Sequence, residues 1–311
     1  MDNRLFYTSR FFDASAPVEP VADLTEQFRD EDNAAFLAKV ASELSTLQPA
    51  NEHDPRHSAG GEMAIGLIGG YGLMGYGLRR SQEILRLDRG PSYWSHAFLF
   101  NGGLNADAQQ LRGPSSPWLL ECTFCPSAQV SDALYRDGVM PRRLAEYSTA
   151  RFDWNRANSI PNFAVISIGL TDSERKSIRA AALTPEAARQ HLGLVSLAGQ
   201  WFQYLCDKGE IRNPLTLGKP VHSAAYVQMA YSAASIDLAP GASQNTVAPE
   251  HFWGLAKHLQ HMSLYRAPGT NELLPRPLRI WTCIRDPHCV ITPVDAASKG
   301  EESTIEQIVG S

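Results

Sequence analysis

Apolar positions fall along this chain in short dense runs, separated by polar, glycine-rich or proline-rich stretches. Residues 63–68 (MAIGLI) form the first run, where the core begins, and a glycine-rich stretch follows to Gly77. Residues 96–100 (HAFLF), 118–123 (WLLECT) and 163–168 (FAVISI) have the length and the aromatic or β-branched content of buried strands. Residues 278–284 (LRIWTCI) predict a late strand. Helical spacing marks residues 30–47, where Phe36, Leu37, Val40, Leu44 and Leu47 share one side. Residues 79–87 predict one or two helical turns, and residues 194–205 and 224–234 predict helices. Thr171-Asp172-Ser173-Glu174 is a capping box, so a helix starts there. Strands and helices do not alternate regularly, which favours an α+β fold over a doubly wound parallel sheet.

Polar residues 48–61, rich in Pro and Gly, read as a linker. The expected organisation is an N-terminal extension and linker over 1–61, one domain over 62–295 and a tail over 296–311. The 311 residues suffice for a sizeable core. A net charge of -5 gives no basic excess for nucleic acid or anionic lipid. The longest apolar stretch, residues 63–74, is glycine-broken and too short to span a bilayer, so no membrane insertion is expected. The first thirteen residues carry charges and no apolar core, which predicts no secretory signal. Five cysteines make an odd number and suggest no disulfide framework. Synthesis in a reducing cytoplasm follows, with export by a route lacking a cleaved signal left open.

Three segments carry candidate chemistry. His96 opens an apolar strand after a loop containing Gly90 and Pro91. Glu121 lies inside an otherwise apolar strand, and Ser223 stands where a helix begins. Histidine serves as a general base near neutrality. A carboxylate on a neighbouring strand can hold its tautomer. A nucleophile at a helix N-terminus gains from the dipole and from backbone N–H groups able to cradle an oxyanion.

These segments, "SHAFLF", "LLEC" and "HSAAYVQMAY", resemble in order and spacing the permuted branch of the NlpC-like papain-fold superfamily, which includes relatives of lecithin retinol acyltransferase. That branch runs histidine, then an acidic or polar third residue, then a catalytic cysteine opening a helix. Aligning Tyr226 and Val227 with the helix pattern puts Ser223 at the cysteine position, with His96 as the histidine and Glu121 as the third residue. Residues 245–249 (NTVAP) resemble the turn after the nucleophile helix, and the likeness covers roughly residues 62–255. The resemblance implies a permuted papain-like fold, an antiparallel sheet packed against helices, with an added N-terminal helix. It implies a hydrolase or acyltransferase acting on amide, peptide or ester bonds of peptides, peptidoglycan or acyl lipids, with no metal or organic cofactor. A role as a bacterial effector, met by an inhibitor protein, is compatible with it.

Position 223 departs from the family, and a serine hydroxyl is a weak nucleophile without strong base assistance. Ser223 reads as a replacement of a native cysteine, as a natural serine variant, or as the mark of an inactive relative that only binds. Plainer alternatives stand beside each residue. Ser223 also reads as a helix N-cap, His96 as a satisfied core histidine, and Glu121 as the partner of a buried arginine or as a residue facing water. Gly70-x-Gly72-x-x-Gly75 matches a dinucleotide fingerprint in letters, but the next strand ends in Asn101 and lacks the ribose-binding acid. Cys122-x-x-Cys125 has no second pair at zinc spacing, and His53-x-x-x-His57 lies in the linker, so neither predicts a metal site.

Overall fold

The structure is a computed structural model. It describes residues 33–46, 61–70, 73–104, 106–112, 115–125, 136–145, 160, 162–184, 222–242, 246–264 and 278–289. The helix expected over 194–205, the linker over 48–60, His53, His57, Cys206 and the tail lie outside them.

Among the described residues six strands form one antiparallel sheet: β1 (Ile65–Gly69), β2 (His96–Phe100), β3 (Trp118–Cys125), β4 (Arg136–Arg143), β5 (Asn162–Ile168) and β6 (Leu278–Ile284). Their spatial order is β4-β3-β2-β1-β5-β6, and every neighbouring pair is antiparallel. The helices among the described residues are α1 (Asn33–Thr46), α2 (Leu73–Ser81), α3 (Ala108–Arg112), α4 (Asp172–Ala182), α5 (Ser223–Ser232) and α6 (Pro249–Leu264). The chain is therefore α+β, as the run pattern predicts.

Strand alternation divides the core into two layers. On one face Leu67, Ala97, Leu99, Leu120, Cys122 and Ala164 pack against α4, α5 and α6. On the other, Ile68, Phe98, Phe100, Leu119, Phe163 and Trp281 pack against Phe36, Leu37, Val40 and Leu44 of α1. The N-terminal helix is thus a packed layer of the fold. Glu43 accepts a 2.7 Å hydrogen bond from Trp281 Nε1, and Asn33 accepts one of 2.7 Å from Arg285.

Several boundaries depart from the sequence reading. The helix expected over 79–87 begins earlier, at Leu73, and ends at Ser81, with a separate 3₁₀ turn at Glu83–Leu85. Local propensity argues against helix in glycine-rich sequence. Here packing overrides it: a Cβ on Gly75 would come within 2.7 Å of Gly70 O, so glycine permits the close approach that seats the helix. The sequence pattern does not reveal strand β4, because RDGVMPRR carries no alternation; it is an edge strand, where charges and Pro141 are tolerated. Helix α6 starts where the sequence pattern shows only a turn. Pro249 occupies its first position, where a missing N–H costs nothing. The capping box at Thr171 is formed in both directions, with Glu174 N donating to Thr171 Oγ1 at 3.1 Å and Thr171 N donating to Glu174 at 2.8 Å. Among the described residues, no helix is long and apolar enough to cross a membrane.

Candidate active site

The site lies where the β2–β3 ladder stops. These strands pair only at Leu99↔Leu120 and Phe100↔Leu119, whereas β3 and β4 pair along eight positions. Phe100 N donates to Ala64 O on the β1 side and Asn101 N donates to Trp118 O on the β3 side. By alternation the Ala97 N–H also faces β3. It donates instead to Ser223 Oγ, at 3.4 Å, a long bond. The serine hydroxyl stands in for a strand carbonyl at the open end of the ladder.

His96 and Glu121 meet at the same opening. His96 Nε2 lies 3.0 Å from Glu121 Oε2, with the imidazole 18% exposed and the carboxylate fully buried. Alternation places both side chains on the α1 face, beside Phe98, whose ring centroid is 6.4 Å from that of His96. Helix α5 packs on the opposite face, so Ser223 reaches the peptide between His96 and Ala97 from the other side of the sheet. Among the described residues no hydrogen bond joins Ser223 to the imidazole. Sequence reasoning therefore names three residues that gather at one gap. The structure pairs two of them directly, and the third touches the backbone beside the first.

Pairing of Nε2 with Glu121 has a chemical consequence. An ionised carboxylate only accepts, so it selects the tautomer with the proton on Nε2 and leaves the Nδ1 lone pair for proton transfer. Glu121 Oε1 in turn lies 3.1 Å from Arg142 Nε, with that side chain only 5% exposed. Arg142 is invisible to sequence reasoning because it sits on the unrecognised strand β4. The plainer expectation that Glu121 partners a buried arginine is met together with the histidine contact.

The α5 terminus is capped by His222, whose Nδ1 accepts from Ala225 N at 3.3 Å. The reading of Ser223 as the N-cap is corrected: it is the first helical residue, so its own N–H points out of the helix without an intrahelical acceptor. Sequence reasoning assigns His222 no role, and a histidine cap has no motif that would reveal it. Inside α5, Tyr226 donates to Ala182 O at 2.9 Å. Burial, and then the neighbouring Cys122 and Glu121, push its phenol well above the usual value and keep it a donor.

A second polar network holds the segment that delivers His96. Ser92 Oγ donates to Glu250 Oε2 at 2.7 Å, and Gln82 links Trp94 O (2.9 Å) to Glu250 N (3.1 Å). Arg86 lies 3.6 Å from Glu250 Oε1 and stacks 4.3 Å from the Tyr93 ring centroid. Burial raises the Glu250 carboxyl above its ordinary range, against the pull of Lys257 and Arg86. Asn162 Nδ2 donates to Tyr93 O at 3.1 Å. A Cβ on Gly69 would clash with that same carbonyl, so only glycine lets the segment cross β1 there.

Gly72 of the glycine run lies outside the described residues, and Gly70 N donates to Ser95 Oγ at 3.1 Å. Cys122 carries a buried thiol, and the Cys125 side chain is outside the described residues. Among the described residues no group of three or more His, Cys, Asp or Glu is placed to hold a metal. Compared with protein-family models and with curated proteins, the chain finds no match.

Proposed function

We propose that this chain is a papain-like hydrolase of the permuted NlpC-like type, cleaving amide, peptide or ester bonds through residue 223. The observation that carries the proposal is the 3.0 Å His96–Glu121 pair at the opening where the start of α5 meets β2. With a cysteine at 223 that turns from Ala97 N toward the imidazole, His96 Nδ1 takes the thiol proton as sulfur attacks the substrate carbonyl. The backbone N–H at 223 faces the oxyanion. The imidazolium then protonates the leaving group, and a water activated by His96 hydrolyses the thioester to release the acid. Glu121 keeps the imidazole in register and stabilises its charged form. Peptides, peptidoglycan stems and acyl lipids are the substrate classes, and delivery as an effector is compatible with this chemistry.

A second reading is a binding module on the same fold. Two observations favour it: Ser223 is 8% exposed, and its hydroxyl is engaged by Ala97 N rather than by His96. The deciding experiment compares the protein with its Ser223→Cys variant on peptidoglycan fragments, a casein-type protein and short acyl esters, with a thiol-alkylating probe. Turnover and labelling at 223 in the cysteine form alone support the hydrolase. Silence of both forms, with no labelling of the native fold, leaves the binding module.

A further inference from the structure

We propose that Arg142 is a positioning residue for the His96–Glu121 pair, an inference that rests on the reading of His96 as the base. Among the described residues the fully buried Glu121 carboxylate faces two cationic or titratable groups, with Oε2 hydrogen-bonded to His96 Nε2 at 3.0 Å and Oε1 in a close ion pair with Arg142 Nε at 3.1 Å that lacks hydrogen-bond alignment. In the β3–β4 register Glu121 stands opposite Met140, and Arg142 stands opposite Leu119. Arg142 therefore reaches diagonally along the sheet face to the carboxylate. A buried carboxylate needs a compensating charge, and His96 supplies one only when protonated. Arg142 supplies it permanently. It keeps Glu121 in the acceptor-only form, so the imidazole proton stays on Nε2 and Nδ1 stays open for residue 223. The neighbouring Arg143 points elsewhere, donating to Ser116 O at 2.7 Å and stacking 3.9 Å from the Trp118 ring centroid. It is the internal control.

The test reads the ¹⁵N signals of the His96 ring at neutral pH in the full chain, assigned by their loss in His96→Gln. The unaltered protein, Arg143→Gln and Arg142→Lys are expected to show one tautomer with the proton on Nε2. Arg142→Gln is expected to show a mixture. In the Ser223→Cys background, Arg142→Gln is expected to lower kcat about tenfold to a hundredfold, on the scale of removing an outer-shell partner behind a metal-bound histidine, with KM nearly unchanged. An unshifted tautomer in folded Arg142→Gln, or loss of the single tautomer in Arg142→Lys, overturns the proposal. Should Arg142→Gln not fold, His96→Gln serves instead. The Arg142 Nε–H signal, assigned by its loss in Arg142→Lys, is expected to shift in His96→Gln, which alters the partner on the other carboxylate oxygen, and a stationary signal overturns the proposal. An inactive Ser223→Cys protein removes the hydrolase reading, whereas the ring and Nε–H signals report on Arg142 regardless.

Discussion

The β5–β6 ladder and the β2–β3 ladder belong to one sheet and end differently. β5 pairs with β6 at seven positions and with β1 at five, and all seven β5 residues are buried. β2 and β3 pair at two and then part. A complete ladder spends every in-plane N–H and C=O on its neighbours and leaves only packing for the side chains. An interrupted ladder has backbone groups and a buried polar space to satisfy by other means. Here a serine hydroxyl, an imidazole, a carboxylate and a guanidinium fill that space. Polar and charged groups in such a setting are paired or costly, so the gap selects a paired constellation where the ladder selects Ala, Val and Ile.

Removing the base has the largest expected effect. In the Ser223→Cys protein, His96→Ala is expected to lower kcat/KM by at least about a hundredfold, the lower bound for general acid–base catalysis. An undiminished rate would detach the gap from the chemistry. Glu121→Ala comes next. It leaves the buried Arg142 without its carboxylate and is expected to cost about 3–5 kcal/mol in urea unfolding. A cost below about 1 kcal/mol would show that the open ladder does not depend on the pair.

Acid separates the two regions further. His251 Nδ1 accepts from Ala248 N at 3.0 Å at the start of α6. Burial, with the nearby His222, pushes His251 down from 6.5 to about 4. The folded state thus binds this proton less readily than the unfolded chain. Its stability contribution is complete above about pH 6.5, falls as the pH drops toward 4, and levels off below, a loss of about 3 kcal/mol. Hydrogen exchange at α6 should accelerate over that window, and His251→Gln should flatten the dependence. Smallest is the remote cap. Thr171→Ala is expected to cost about 1 kcal/mol and to leave alkylation at position 223 of the Ser223→Cys protein unchanged, which would show that α4 stabilises the fold without reaching the gap.

How much was legible in advance follows the same division. Strand β6 matches its predicted span, and β5 and β2 match within a residue, because dense apolar runs are buried wherever they land. The capping box at Thr171 was legible because its two hydrogen bonds close within four residues. His96, Glu121 and Ser223 were legible as candidates, since a polar residue inside an apolar run or opening a helix is conspicuous. Strand β4 was not, because an edge strand requires no alternation, and Arg142 was hidden with it. Ser92, Gln82 and Glu250 gave no signal either; each acts on a partner that is distant in sequence or fixed only by packing.

Local chemistry alone therefore determined the α+β class, the buried strands, the start of α4 and the types of residue able to do chemistry, because each depends on neighbours along the chain. Tertiary structure decided that β2 and β3 part after two pairs, that Ser223 meets the peptide beside His96 from the opposite face, and that Arg142 backs Glu121. Those outcomes depend on strand order and register, which arise from packing of the whole sheet between α1 and the helices α4 to α6.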